Sequence, residues 1–302
     1  MSGRLEGRVA IVTGAGRGLG AEHAKALARE GARVVVNDLG GDSAGAGSDP
    51  TPAQQTVEEI KASGGEAVVN GADISDWDGA AQLVQCALDS FGRIDVLVNN
   101  AGILRDRMLV NMSTDEWDDI MRVHLRGHFC PTRLVAAHWR ERAKTEGPSD
   151  AVMVHTSSIS GLHGNVGQAN YAAAKSAIAT FSIVCHMELN ERYGVRSYAL
   201  APGARTRLTL QTPGAEEQVK VPEDSSVFDY WNPANVSPFV AWVASPKCPA
   251  PSGTVFLVQG DEITRYQTWS PVGIISAGGE RWTMDSLDDR FRELFTPEEW
   301  PA

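Results

Sequence analysis

The chain has 302 residues, 42% of them hydrophobic, with 27 basic against 38 acidic side chains and a formal net charge of −11. That length buries an ample core without a metal or disulfide staple, and the acidic balance disfavours a binder of nucleic acid or of an anionic membrane surface. Cys86, Cys130, Cys185 and Cys248 stand far apart and never as CxxC, which fits neither a zinc site nor a disulfide framework and points to a reducing compartment.

The opening, MSGRLEGRVAIVTG, is charged and then strand-like, without a signal-peptide core, and no apolar run reaches the length of a membrane span. The expectation is a cytoplasmic protein. RVAIVTG (8–14) reads as a strand, a helical pattern follows to about Glu30, and ARVVVND (32–38) is the second strand. GGDSAGAGSDPTP (40–52) is an inserted loop. Helical patterns at 53–63, 76–91, 114–143 and 170–193 then separate apolar runs at 67–73, 94–100, 151–157 and 195–201, and TVFLVQG (254–260) is the last strand. Apolar runs without alternation are strands buried on both faces, and β-α alternation predicts a parallel sheet covered by helices. The expected fold is α/β: a Rossmann-type, doubly wound sheet of about seven strands in a single domain over residues 1–260.

Two stretches break the rhythm. Residues 206–238 carry four prolines and few periodic positions, beyond a strand's carboxyl end, and read either as a surface loop or as a substrate lid. The tail, 261–302, holds Trp269, Trp282 and Trp300 and a short helical pattern, DSLDDRFRELF, and is expected to pack on the core or on a neighbouring subunit. No internal repeat is visible.

TGAGRGLG (13–20) directly follows the first strand and opens the first helix. Gly14, Gly18 and Gly20 permit a tight turn and a close backbone approach, and the helix N-terminus offers free amides to a pyrophosphate. Asp38, 18 residues beyond Gly20 at the end of the second strand, is placed to accept from ribose hydroxyls and to repel a 2′-phosphate. Arg17 pulls the other way, because a guanidinium there pairs with a 2′-phosphate. The carboxylate would occupy the phosphate's own place, so NAD is expected over NADP. The plain alternative for Asp38 is a turn residue before Gly40 and Gly41.

Tyr171 and Lys175 stand four apart in a helical run, on one face, and Ser158 lies 13 residues before Tyr171, just past the strand AVMVHTS. A phenol is a poor base at neutral pH, with an ordinary pKa of about 10. A lysine ammonium one turn away and a cationic nicotinamide would stabilise the phenolate, while the Ser158 hydroxyl holds a substrate oxygen. These parts suit removal of a proton from an alcohol as hydride leaves its carbon, and no metal cluster or paired carboxylate competes for the role.

These motifs match a family. With TGAGRGLG, Asn99–Gly102 as NNAG, the Ser158/Tyr171/Lys175 set and a PG turn at Pro202–Gly203, the chain resembles the short-chain dehydrogenases/reductases over about residues 5–260. The resemblance implies Ser158 as substrate-orienting group, Tyr171 as acid/base and Lys175 as the ribose-binding residue that lowers the Tyr171 pKa. It implies a cofactor site of Gly14, Arg17, Gly18, Leu19, Gly20, Asp38, Ile74, Ala101, Gly102, Tyr171, Lys175, Pro202 and Gly203, with Asp73 near the adenine and Asn100 and Thr206 along the cofactor, and no metal. NDLGGD (37–42), NNAGILRDR (99–107), VHLRGHF (123–129) and GNVGQANYAAAK (164–175) look like the (3R)-hydroxyacyl-CoA dehydrogenase branch, including bacterial single-domain members that act on steroid side chains. GQANYAAAK is shared with 3-oxoacyl carrier-protein reductases.

His124 stands where many members have Asn; it reads either as a proton-relay group, counted with the catalytic set, or as packing. The expected function is NAD-dependent oxidation of a secondary alcohol, the 3-hydroxyl of an acyl-CoA. The alternatives are an NADPH-dependent 3-oxoacyl thioester reductase, a hydroxysteroid dehydrogenase and, from another class, a catalytically idle dinucleotide sensor. Arg105, Arg107 and Arg126 are candidates to meet CoA phosphates. The family's habits imply a homodimer or homotetramer formed through the long helices.

Overall fold

In a computed structural model, which describes residues 3–41, 47–211, 214–246, 248–267, 269–296 and 299, the first half runs β1 (Val9–Thr13), α1 (Gly18–Arg29), β2 (Arg33–Asn37), α2 (Thr51–Ala62), β3 (Glu66–Asn70), α3 (Trp77–Phe91), β4 (Val96–Asn99). The rest runs α4 (Thr114–Ile120), α5 (Gly127–Glu146), β5 (Val152–Thr156), α6 (Ile159–His163), α7 (Ala169–Tyr193), β6 (Arg196–Gly203), α8 (Ala215–Gln218), α9 (Ser237–Ala244), β7 (Val255–Gln259), β8 (Glu262–Tyr266) and α10 (Met284–Arg290). The expected strands fall where the apolar runs place them, and so do the expected helices other than the one read over 114–143. β1, β4 and β5 are buried at every position, which is why their sequences show no alternation.

The strands form one sheet in the order β3-β2-β1-β4-β5-β6-β7-β8, with β1 to β7 parallel. Successive residues of β1 serve opposite faces. Ala10 and Val12 pack with Leu27, Ile60 and Val240 under α1, α2 and α9, whereas Val9 and Ile11 pack with Leu83, Trp139 and Cys185 under α3, α5 and α7. Trp139 is fully buried and donates its indole N–H to the Ile94 carbonyl at 2.8 Å, so its one polar atom is satisfied. The winding direction reverses between β1 and β4. A crevice opens there, past the carboxyl ends of the strands, where ligands bind in open α/β sheets.

Two features depart from the sequence reading. The sheet has eight strands rather than about seven: after Gly260, whose φ of 54° permits the tight turn, Glu262–Tyr266 pairs antiparallel with β7. Its first four residues are exposed, so this edge strand lacks the apolar run that marks the others. The long helix read over 114–143 is interrupted. α4 starts from a capping box made by Ser113 and Glu116, but Met121–Arg126 is π-helical, with the Gly127 amide donating to the Arg122 carbonyl five residues back. Pro131 follows inside α5, where it has no N–H for the Gly127 carbonyl four residues earlier, so the helical ladder is weakened next to the π segment.

The chain divides into two units, Met1–Tyr266 and Gln267–Ala302. In the second, Thr283 and Ser286 cap α10 reciprocally, and the Arg290 guanidinium lies 5.6 Å from the centre of the Trp282 ring. Trp269 is exposed, and Trp300 falls outside the described residues. No helix among the described residues is long and apolar enough to cross a membrane.

Candidate active site

A cleft of about 590 Å³ lies at the β1/β4 reversal. Every residue the sequence singled out for cofactor or catalysis lines it: Gly14, Arg17, Gly18, Leu19 and Gly20 after β1, Asp38 after β2, Asp73 and Ile74 after β3, and Asn100, Ala101 and Gly102 after β4. His124 from the π segment, Ser158, Tyr171 and Lys175, then Pro202, Gly203 and Thr206 from the end of β6, complete that set.

The glycine turn is held by its neighbours. The Asn100 amide donates to the carbonyls of Thr13 and Gly14, both at 3.1 Å, and the Thr13 hydroxyl accepts from the Asn100 amide N–H at 2.9 Å. Gly14 has φ 62°, and a Cβ there would stand 2.6 Å from the Ala101 Cα, so the backbone crossing admits only glycine. The Asp38 carboxylate accepts from the Gly16 amide and from the Gly40 amide, each at 2.7 Å. It is therefore a turn residue and a clamp on the glycine loop together. Arg17 lies 3.9 Å from Asp49. Asp73 accepts from the Ser75 amide at 2.8 Å and hydroxyl at 2.7 Å. A narrow backbone cradle opening a helix N-terminus, with a carboxylate at the end of β2, fits a nicotinamide dinucleotide.

At the other end Tyr171 sits in the first turn of α7 and Ser158 at the N-cap of α6. The Ser158 side chain hydrogen-bonds Tyr171, and burial pushes the phenol up to about 12, against the pull of that bond. Burial also brings the Lys175 ammonium down to about 7. Its Nζ donates to the Thr156 carbonyl at 2.6 Å and lies 5.6 Å from the centre of the Tyr171 ring. The expectation that Lys175 lowers the Tyr171 pKa is thus not met by these two side chains alone: desolvation dominates both groups and favours the neutral phenol.

His124 is completely buried, edge-on to Tyr171 with ring centres 5.2 Å apart. Its Nε2 lies 2.8 Å from the Ile103 carbonyl oxygen, while Nδ1 has no partner among the described residues. Burial, then the Lys175 charge, holds its pKa well below the ordinary range, so the ring is neutral. The glycine before Ile103 is required here, because a Cβ on Gly102 would run into the imidazole.

Several groups that shape the site carry no mark in the sequence. Asn170, fully buried, donates to the carbonyls of Arg105 at 3.0 Å and Glu116 at 2.9 Å and accepts from the Tyr171 amide at 2.7 Å, pinning the start of α7 to α4. Gln168 donates to Asp106 at 2.8 Å. Beyond the expected Thr206, the prolonged loop brings Arg207, Leu208, Thr209 and Trp231 into the cleft wall, and Arg205 ties that loop together through Asp229 and the Val219 carbonyl. No periodicity or spacing marks such contacts. The three arginines expected to meet CoA phosphates are otherwise engaged. Arg105 pairs with Asp119 at 3.2 Å, Arg107 with Glu116 at 3.0 Å, and Arg126 donates to the Ser75 carbonyl at 2.7 Å. None of the three lines the cleft, whereas Arg207 does, with no ion pair to any described residue. Among the described residues no group of three His, Cys, Asp or Glu side chains could hold a metal.

The short chain dehydrogenase family profile matches residues 8–216. The hydroxyacyl-CoA dehydrogenase ChsB1 of Mycobacterium tuberculosis is 42% identical over 297 residues, which covers 96% of this chain and 89% of that one. The peroxisomal multifunctional enzyme type 2 of Mus musculus is 41% identical over 292 residues, covering 96% of this chain but 37% of that longer protein. Among solved structures, a short chain dehydrogenase from Mycobacterium avium superposes with a TM-score of 0.84 at 44% identity, covering 97% of this chain and 95% of that one.

Proposed function

The chain belongs to the short-chain dehydrogenase family, and from that premise we propose that it oxidises the 3-hydroxyl of an acyl-CoA with NAD. As a family member it is an oxidoreductase that binds a nicotinamide dinucleotide. The observation that carries the reaction type is the half-buried Tyr171 phenol in the cleft, hydrogen-bonded to Ser158 with Lys175 one turn below it. Ser158 orients the substrate hydroxyl and Tyr171 takes its proton. When bound, the nicotinamide supplies the hydride acceptor and a positive charge that offsets the desolvation of the phenolate. Lys175 binds the ribose and carries the proton onward, which its pKa of about 7 suits. His124 completes the outward path.

The choice of NAD rests on Asp38. Its carboxylate is fixed against Gly16 at 2.7 Å, so a 2′-phosphate at that position meets a negative charge held in place. Arg17 stands 3.9 Å from Asp49, a carboxylate that competes with a phosphate for the guanidinium. Support for the acyl-CoA comes from the likeness to ChsB1, a hydroxyacyl-CoA dehydrogenase, and from Arg207 in the cleft wall. A homo-oligomer is the proposed assembly, since α5 and α7 expose Phe129, Val184 and Met187; a cytoplasmic location is proposed with it.

The test is dinucleotide reduction measured with 3-hydroxyacyl-CoAs of several chain lengths, steroid-derived acyl-CoAs and free hydroxysteroids, each with NAD and NADP. Turnover of the CoA esters with NAD is expected. Turnover restricted to NADPH and 3-oxoacyl thioesters would replace this reading with that of a reductase.

A further inference from the structure

We infer that His128 is a positioning residue for Tyr171: its ring holds the carbonyl of His124 and so fixes the π segment that presents the His124 ring to the phenol. The inference rests on the reading of Tyr171 as the acid/base.

The geometry begins at the π segment Met121–Arg126, one turn before Pro131. A π turn is costly inside an α-helix and persists where neighbouring groups hold it. The His124 carbonyl accepts from the Gly127 backbone amide, and a side chain adds a second hold. The His128 Nδ1–H donates to the His124 carbonyl at 2.7 Å, a shorter contact than most backbone hydrogen bonds. Both residues are completely buried, so water does not compete for that carbonyl. The bond requires a proton on Nδ1, which fixes the tautomer of His128. Burial and the nearby Lys175 charge keep the ring neutral, so it stays a single, oriented donor.

His128 is itself backed from the sheet. The His155 ring, on β5, stacks on it with centres 6.0 Å apart and planes 28° from parallel. Behind His155 the Asn99 amide, at the end of β4, reaches the His155 Nδ1 at 3.2 Å and donates to the Thr132 hydroxyl at 2.9 Å. His155, Asn99 and Thr132 are all buried. A connected polar seam therefore runs from the two central strands through His128 to the His124 backbone, and the His124 ring meets Tyr171 edge-on at 5.2 Å. Displacement of a reacting group by about 1 Å costs on the order of 10²-fold in rate, so a group that sets the depth of His124 affects turnover without touching substrate or cofactor.

The experiment uses three variants of the full chain. His128→Asn carries an amide N–H at the place of Nδ1–H, His128→Gln carries it one bond farther out, and His128→Leu has no donor. The expected result is that Asn retains most of the wild-type kcat while Leu and Gln lose about 10²-fold, with the dissociation constant for NAD nearly unchanged in all three. Equal kcat in Leu and wild type, or Asn as damaged as Leu, would show that the ring only fills space. If Leu fails to fold, the contrast of Asn with Gln decides by the same criterion. A second readout does not depend on activity: histidine-labelled wild-type protein is expected to give the Nδ1–H tautomer for His128 by nitrogen NMR, and the Nε2–H tautomer would overturn the inference. Absence of turnover by the wild-type protein with any alcohol would instead remove the acid/base reading of Tyr171 and leave the tautomer result standing.

Discussion

The Asp38 carboxylate grips the Gly16 amide at 2.7 Å across 22 residues of sequence, joining the end of β2 to the glycine turn after β1. One side chain thus shapes the loop and places a negative charge beside it. Asp38→Ser is expected to lower the ratio of kcat/KM for NAD over NADP by about tenfold or more, as each ~1.4 kcal/mol of repulsion removed is a factor of ten. Steady-state kinetics with both dinucleotides measures it. An unchanged ratio would leave Asp38 as a clamp only.

Tyr171→Phe keeps the ring, its burial and its contact with His124, and removes only the hydroxyl. The expected fall in kcat is about 10²–10⁴-fold, the usual worth of a general acid–base group. NAD affinity by titration should hold. Activity within tenfold of wild type would sink the assignment.

His124→Asn is expected to retain most turnover, because an amide offers both a donor and an acceptor, as the neutral imidazole does. His124→Leu offers neither, and its kcat should fall with NAD affinity nearly unchanged. If Leu is harmless, or Asn equally damaging, the buried ring is packing and carries no proton.

Arg207→Ala tests the CoA reading at a cleft-wall arginine with no ion pair to any described residue. The KM for a 3-hydroxyacyl-CoA should rise about tenfold, the scale of one hydrogen bond to a charged group, while that for a hydroxysteroid stays put. A parallel rise in both would point to the cofactor or the loop instead.

Acid stability should follow the buried imidazoles. His23, whose Nδ1 pairs with the Ser237 hydroxyl at 2.8 Å, and His155 are both held down to about 3 by burial. The unfolded chain binds these protons near pH 6.5 and the folded chain only near 3, so their contribution is fully present above 6.5 and is lost as pH falls through that window. Thermal unfolding followed across it should show a falling Tm. The slope should be shallower in His23→Leu, which has no proton to take up; an identical slope would assign the acid loss to other groups.

Most of the fold and the chemical core of the site are legible in the residues themselves. The strands announce themselves as apolar runs because a doubly covered sheet buries both faces of each strand, as β1 and β5 do. Gly14, Gly18 and Gly20 are readable because one tight turn demands them, and Tyr171 and Lys175 because four residues of helix bring them to one face. These are all constraints of short range. What tertiary structure alone decided acts across tens of residues and leaves no period: β8, a polar edge strand; the π segment that sends His124 inward; Asn170, which ties α7 to α4; Arg207 rather than Arg105, Arg107 or Arg126 in the cleft. The protonation balance belongs there too. Spacing places an ammonium one turn from a phenol, but only burial in the assembled fold sets Tyr171 near 12 and Lys175 near 7, since desolvation depends on everything packed around a group and not on its neighbours in the chain.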